Sequence, residues 1–460
     1  MALRDRAEDG RRLLDRYLFP EPPPAAAGPA RWEKAGLAAA LLALGVILQL
    51  ARIGWTASLN ALWAEDGPIF IQNAVTLGLG DGLATEYSGY LVVVPRLIAE
   101  LAMLVPLEGA AAAVSILSAL VIALSGLAVW HAAAAHIPDP FLRGALVLAT
   151  VLTPVGGLET IDSASYVSWY MLFAVFWILL WRPRTLAGAA WGGLLVAAAV
   201  LSNPGAWFLL PLAALRALAV RDRRDATIVG AYFAASAVQL AAMVRSDYEA
   251  VEPLWRGEIW EVLLQRLVDG AVFGLRLGGE LWAWLGWPFL IALTVCVVAG
   301  FALGLRRADG RARALALIAL PTALGMFVLS LYQRAVGEQM LWPDGLYSGN
   351  GGRYAIVPVL LVLSTAMAIA CRQRTQNGGG AAWPRWAIAA LVLVSVAVSY
   401  PAGDSAVRGT PAWDDALDAA AATCAREGAE TVPVPTSPPG FGVTMPCSEI
   451  AADSTPTPQR

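Results

Sequence analysis

Glu65 and Asp66 stand side by side in WAEDGPIF at 63–70, just beyond the first long apolar run of the chain. A carboxylate at such a boundary can take the proton of an attacking hydroxyl when partial burial tunes its pKa to the task. The pair has a structural use as well. Pro68 suits the first turn of a short helix, and Asp66 or Gly67 would then be its cap. A cap and a base are compatible roles. GGLETIDSAS at 156–165 supplies a second acidic pair, Glu159 and Asp162.

Cations that could hold a phosphate lie in two places. Arg96 offers a planar fork of donors, or else an i,i+4 pair with Glu100 on one helix face. Arg353 follows the glycines of SGNGGRY at 348–354, which read as an anion-binding nest or as a plain connector. Arg334 is a weaker candidate and suits an interfacial anchor. Asp344 and Tyr347 in LWPDGLYSGN, with Trp342, could line the same cavity, although PDG is also simple turn chemistry. Trp255, Trp260, Trp282, Trp284 and Trp287 fit an interfacial belt better than a sugar platform. His131 and His136 are five apart and face different ways on a helix, so no metal site is expected of them.

The elements that carry these groups must be membrane helices. The 460 residues are 58% hydrophobic and 15% charged, with mean hydropathy +0.60, well outside the range of soluble domains. A net charge of −3 offers no basic face for nucleic acid. Twelve apolar stretches follow the N-terminal segment, at about 35–53, 88–106, 110–134, 141–155, 164–181, 187–201, 204–219, 226–244, 285–305, 313–333, 354–371 and 387–401. WRPR at 181–184, RDRRD at 221–225, RRADGRAR at 306–313 and CRQR at 371–374 are short basic loops of the kind that stays cytoplasmic. Residues 1–34 read as a basic, proline-broken cytoplasmic tail without a cleavable signal.

These anchors agree only if one early segment does not cross. The segment 88–106, with Pro95, Arg96 and Glu100, is the one expected to lie on the outer leaflet. The expected fold is therefore an all-α polytopic membrane protein with about 11 transmembrane helices across 35–401, N-terminus cytoplasmic and C-terminus extracytoplasmic. External loops fall at 54–109, 156–163, 245–284 and 334–353, and the first contains a juxtamembrane helix. Residues 402–460 form a small extracytoplasmic tail whose last 25 residues, rich in Pro, Ser and Thr, are expected to be mobile. There Cys424 and Cys447 would meet oxidising conditions and either pair or remain two thiols. A disulfide closing that loop would contribute about 3.5 kcal/mol in the chain-entropy model.

The acidic pair in the first external loop, the juxtamembrane helix after it, the second acidic loop and the tight turn LSNPGAWFLLP at 201–211 together resemble the GT-C superfamily of integral membrane glycosyltransferases. The likeness covers the architecture from 35 to about 371 and suggests a bacterial, actinobacterial plasma-membrane member, in keeping with a chain whose only lysine is Lys34 among 32 basic residues. It implies inverting transfer of a sugar from a polyprenyl-phosphate donor to a glycan, lipid or protein acceptor at the extracytoplasmic face. Asp66 would be the catalytic base with Glu65 as its rival, Arg96 and Arg353 would hold the donor phosphate, and Glu159, Asp162, Asp344 and Tyr347 would contact substrate. The chain departs from the family pattern in lacking a DxD pair in the first loop and a large C-terminal domain, and YSGYLVVVPRL at 87–97 replaces the His-Pro-Pro-like element. A divalent cation is thereby left open. Two other readings stand beside this one: a transporter or flippase of lipid-linked sugar, and a non-catalytic membrane scaffold.

Overall fold

The computed structural model describes residues 2–21, 31–157, 160–249, 259–334, 351–372, 383–400 and 411–453. Most of them are helical. Six helical segments are long and apolar enough to cross a membrane: Trp32–Ala51, Leu107–Ala135, Arg223–Arg245, Ile259–Arg307, Gly310–Gln333 and Arg353–Cys371. Five apolar helices are shorter, at Pro140–Val151, Ala164–Leu180, Leu186–Val200, Pro204–Leu218 and Pro384–Ser399.

In chain order the helices are α1 (Ala2–Leu13), α2 (Arg31–Ala51), α3 (Trp55–Leu59), α4 (Gln72–Ala84), α5 (Val93–Ala102), α6 (Ala110–Ala132), α7 (Pro140–Val151), α8 (Val167–Leu180) and α9 (Leu186–Val200). There follow α10 (Leu210–Leu218), α11 (Arg223–Arg245), α12 (Ile259–Leu263), α13 (Gly270–Arg307), α14 (Gly310–Arg334), α15 (Arg353–Cys371) and α16 (Trp383–Ser399). The C-terminal elements are α17 (Trp413–Glu427), β1 (Thr431–Thr436), β2 (Phe441–Pro446) and α18 (Cys447–Asp453). At the centre lies α8, apolar on every side, with all its residues but Trp169 buried. A helix hydrophobic all round must be covered all round. Trp284 is 90% exposed and Trp260 and Trp287 are also exposed, so these rings face outward.

Hydrogen bonds sort the helix ends onto two faces. On one, Arg182 Nε donates to Phe19 O (2.8 Å), His136 Nε2 lies 3.1 Å from Leu18 O, and Arg372 donates to His136 O (2.8 Å) while pairing with Asp309 (3.0 Å). This arginine face gathers the four basic loops and the N-terminal segment. The basic N-terminal segment is here a helix and a π-helical turn (Leu14–Leu18) whose Leu18 and following Phe19 are buried. On the opposite face, Arg52 donates to Thr153 O (3.2 Å) and Ser399 O (3.3 Å), Leu275 N donates to Pro154 O (3.0 Å), and Gln239 exchanges two bonds with the Leu91 backbone.

The segment 88–106 begins and ends on that second face. Val93 N donates to Leu201 O and Val94 N to Ser202 Oγ (2.9 Å), and at the far end Leu107 O accepts from the Trp413 indole (2.8 Å). Ten residues of α5 span about 15 Å, half of a bilayer core.

The described residues are compatible with an all-α membrane protein and carry in addition one hairpin, β1 and β2 pairing antiparallel from Thr431↔Pro446 to Thr436↔Phe441. One expectation is corrected: of the last 25 residues, expected to be mobile, 436–453 belong to a folded unit in which residues 411–453 form a helix, the hairpin and a second helix, with Trp413, Val434 and Met445 buried. Alternation across a two-stranded sheet explains the order, since Val432, Val434 and Thr436 all point inward.

Candidate functional site

The first-loop carboxylates lie on the second face and diverge. Asp66 is buried (2% exposed), and its side chain reaches the helical turn that opens α8. There it accepts hydrogen bonds from Ala164 N (3.0 Å), Ser165 N (2.9 Å) and Ser165 Oγ (2.6 Å). It thus caps a helix about a hundred residues away and not the turn it belongs to, where its own backbone is already helical. Anions suit such a place because the first N–H groups of a helix lack partners. Burial pushes Asp66 up to about 7, against the lowering effect of those hydrogen bonds.

Glu65 is only half-buried and turns the other way. Its two carboxylate oxygens each accept from a phenol, Tyr87 Oη at 3.1 Å and Tyr166 Oη at 3.1 Å. Each tyrosine leads on to an arginine. The Arg353 guanidinium stands over the Tyr166 ring at 5.3 Å and over Tyr354 at 4.8 Å. On the other side the Tyr87 ring meets Phe70 edge-on at 6.1 Å, and Arg96 stands over Phe70 at 5.8 Å. One carboxylate is therefore linked through two phenols to two arginines, each of which stands over an aromatic ring.

Arg96 is 2% exposed. Its Nη2 reaches Glu86 O only at 3.5 Å, and Nε and Nη1 have no partner among the described residues. No ion pair joins it to Glu100 there; the glutamate acts on it only from farther off. Donors left over inside a protein are costly, and a bound anion is one way to satisfy them.

The second acidic loop divides. Glu159 lies outside the described residues, as do Asp344, Tyr347, Trp342 and Trp255. Asp162 is buried, holds a left-handed backbone (φ 54°), and accepts from Ser58 Oγ at 2.7 Å. Burial pushes it up to about 7, with Arg52 and Ser58 pulling the other way. It braces the start of the first loop and does not touch Glu65. Asparagine and aspartate tolerate that conformation better than most residues.

Sequence reading passed over several groups that the fold brings in. Tyr87 and Tyr166 gave no signal beyond being aromatic residues near acidic loops. Gln265, Arg266 and Asp269, buried in the π-helical turn Leu264–Asp269, sit in the stretch 245–284, expected to be an external loop. Among the described residues no group of three or more His, Cys, Asp or Glu side chains converges as a metal ligand set. His131 and His136 lie toward the arginine face, the latter buried.

In the C-terminal unit the Cys424 and Cys447 sulfurs are bonded, with Cα atoms 5.7 Å apart, joining α17 to α18. This unit is docked beside the site: Trp413 N donates to Asn60 O (2.9 Å), and Ser437 bridges the strand-like residues before Glu65. Comparison with protein families, with curated proteins and with solved structures finds no match to this chain.

Proposed function

We propose that this chain is an integral membrane glycosyltransferase that moves a sugar from a polyprenyl-phosphate donor to an acceptor hydroxyl. The observation that supports this most is the constellation around Glu65: a half-buried carboxylate linked through two phenols to Arg96 and Arg353. In this reading all eleven apolar helices, the five shorter ones included, traverse the bilayer. The arginine face is cytoplasmic because short basic loops are retained there. The disulfide-bearing face is then extracytoplasmic, in a bacterial envelope, where thiols oxidise.

The reaction needs few groups. An acceptor oxygen attacks the anomeric carbon, the carbon–oxygen bond to phosphate breaks, and the polyprenyl phosphate leaves with the electron pair. Glu65 takes the acceptor proton, since Asp66 already accepts three hydrogen bonds and is closed to solvent. Asp66 fixes the loop to α8. Arg96 and Arg353 balance the charge that grows on the leaving phosphate. The prenyl chain would lie along the exposed apolar side chains Leu97 and Leu101 of α5 and Leu104 just after it. Any divalent cation would join at the phosphate.

Purified protein in nanodiscs, given a panel of labelled polyprenyl-phosphate sugars, tests this. Turnover is expected, with Glu65→Gln reducing it on the order of 10²-fold or more, the usual weight of a general base. Donor binding without turnover in any preparation would instead favour translocation of lipid-linked sugar.

A further inference from the structure

The loop from Asn60 to Gln72, which carries both carboxylates, holds only a 3-10 turn (Ala64–Asp66) and a π-helical turn (Gly67–Ile71), and the far end of the chain packs against both. Ser437 clasps its backbone: Ser437 N donates to Leu62 O (3.0 Å) and Ala64 N donates to Ser437 O (2.6 Å). Between these bonds Ala64 sits at φ 48°, a left-handed conformation that alanine seldom adopts and that persists only where the surroundings over-determine it. Gly67 lies directly under the hairpin. A Cβ there would stand 2.8 Å from Thr436 Cγ2, 3.0 Å from Thr436 Oγ1 and 3.2 Å from Val443 Cγ2. Since Gly67 has ordinary negative φ (−77°), the reason for glycine is close approach and not backbone angle. Gln72 closes the contact with two bonds, its Nε2 to Thr444 O (3.1 Å) and Thr444 N to its Oε1 (2.6 Å).

The clasping unit is itself held by a covalent tie. The Cys424–Cys447 bond joins its two helices around the hairpin, and Trp413 and Asp414 N fasten α17 to Asn60.

We propose that the C-terminal disulfide unit is a positioning element for the first-loop carboxylates, with Thr436, Ser437 and Thr444 as its contact residues, and that opening the disulfide releases Glu65 and Asp66 from their set geometry. The hairpin touches neither carboxylate; it acts through Ala64, Gly67 and Gln72. Its kinetic consequence rests on the reading of Glu65 as the reacting base, while its structural consequence does not.

Hydrogen–deuterium exchange on the full chain in nanodiscs tests the structural part. In Cys424→Ser/Cys447→Ser, amides of residues 60–72 are expected to exchange about tenfold faster or more, as a locally released segment does. Ala164 and Ser165 should follow, because they donate to Asp66 while no hydrogen bond among the described residues ties them to the C-terminal unit. Gly67→Ala should give the same pattern without disturbing the disulfide, and Gly67→Ala with Thr436→Ala should relieve it in part, by removing the two nearest contacts and leaving only Val443 Cγ2 at 3.2 Å. Sugar transfer tests the kinetic part: kcat should fall on the order of 10- to 100-fold with donor KM little changed, as misplacement of a reacting group does. Unchanged exchange at 60–72 and 164–165 in a variant whose residues 413–453 have opened would overturn the proposal, as would a Gly67→Ala effect that Thr436→Ala does not relieve. Exchange that behaves as expected in a protein that transfers no sugar would leave the positioning role standing and remove the glycosyltransferase reading.

Discussion

Adjacent in sequence, Glu65 and Asp66 are chemically unlike, and the difference lies in what each side chain meets. Asp66 meets the otherwise unpaired amides of the turn that opens α8, and half-buried Glu65 meets two phenols. Asp66→Ala should therefore cost about 1–3 kcal/mol of stability, because two buried amides lose their acceptor; thermal unfolding in detergent reads this. Glu65→Gln should leave the melting temperature near that of wild type, since an amide oxygen can still accept from a tyrosine. Asp66 also sets a pH dependence. Its folded pKa is raised to about 7 from 3.8, so folding favours the protonated form. That contribution is complete below about pH 3.8 and is lost as pH rises through about 7, Asp162 acting in the same sense. The melting temperature of wild type is expected to fall across that window, and Asp66→Asn should flatten part of the fall. A steady rise instead would mean that the hydrogen bonds at α8 outweigh desolvation.

At the scale of elements, α5 shows how pattern and context divide the work. Its proline, arginine and glutamate mark it as a poor span, and the hydrogen bonds at Val94 and, beyond its other end, at Leu107 lie on one face of the fold. What Arg96 does there was beyond reading from spacing. The i,i+4 neighbour Glu100 gave a ready partner, yet the guanidinium turns to Phe70 and Glu86 and leaves two donors over. If those donors hold the donor phosphate, Arg96→Leu should raise donor KM at least tenfold, with folding intact, in the transfer assay. Topology gives a separate check on the elements. Cysteines placed at Glu108 and Asp418 should react with a membrane-impermeant thiol reagent from one side, and cysteines at Arg184 and Arg307 from the other. Labelling of Glu108→Cys together with the arginine-loop sites would show that α5 crosses.

Across the whole molecule, the two faces are tied differently. The arginine face is locked by ion pairs around Asp225, which takes Arg182 at 2.7 Å and also pairs with fully buried Arg216 at 2.5 Å. Asp15, from the N-terminal segment, joins the same cluster through Arg182 and Arg221. Removing one partner of a buried group leaves the other charge uncompensated, so Asp225→Asn should destabilise by about 3–5 kcal/mol. Thermal unfolding should show this as a large shift. The opposite face is tied by hydrogen bonds of backbone and of buried side chains such as Arg52, Gln239 and Asp66, and by one disulfide, so it is the side a reductant can loosen.

The sequence alone determined the membrane environment, because no arrangement of so many apolar residues and so few charges would be soluble in water. It also separated basic from acidic loops, since charge spacing is written directly along the chain, and it marked Glu65, Asp66, Arg96 and Arg353 by residue type. Pairing was not written there. That Asp66 caps α8, that Tyr87 and Tyr166 hold Glu65, and that the C-terminal hairpin clasps Ala64 and Gly67 all depend on contacts between residues tens to hundreds of positions apart. Local pattern reports which residues can be buried or charged. Only the closed chain decides which of them meet, because long-range contacts are selected by the packing of every helix at once.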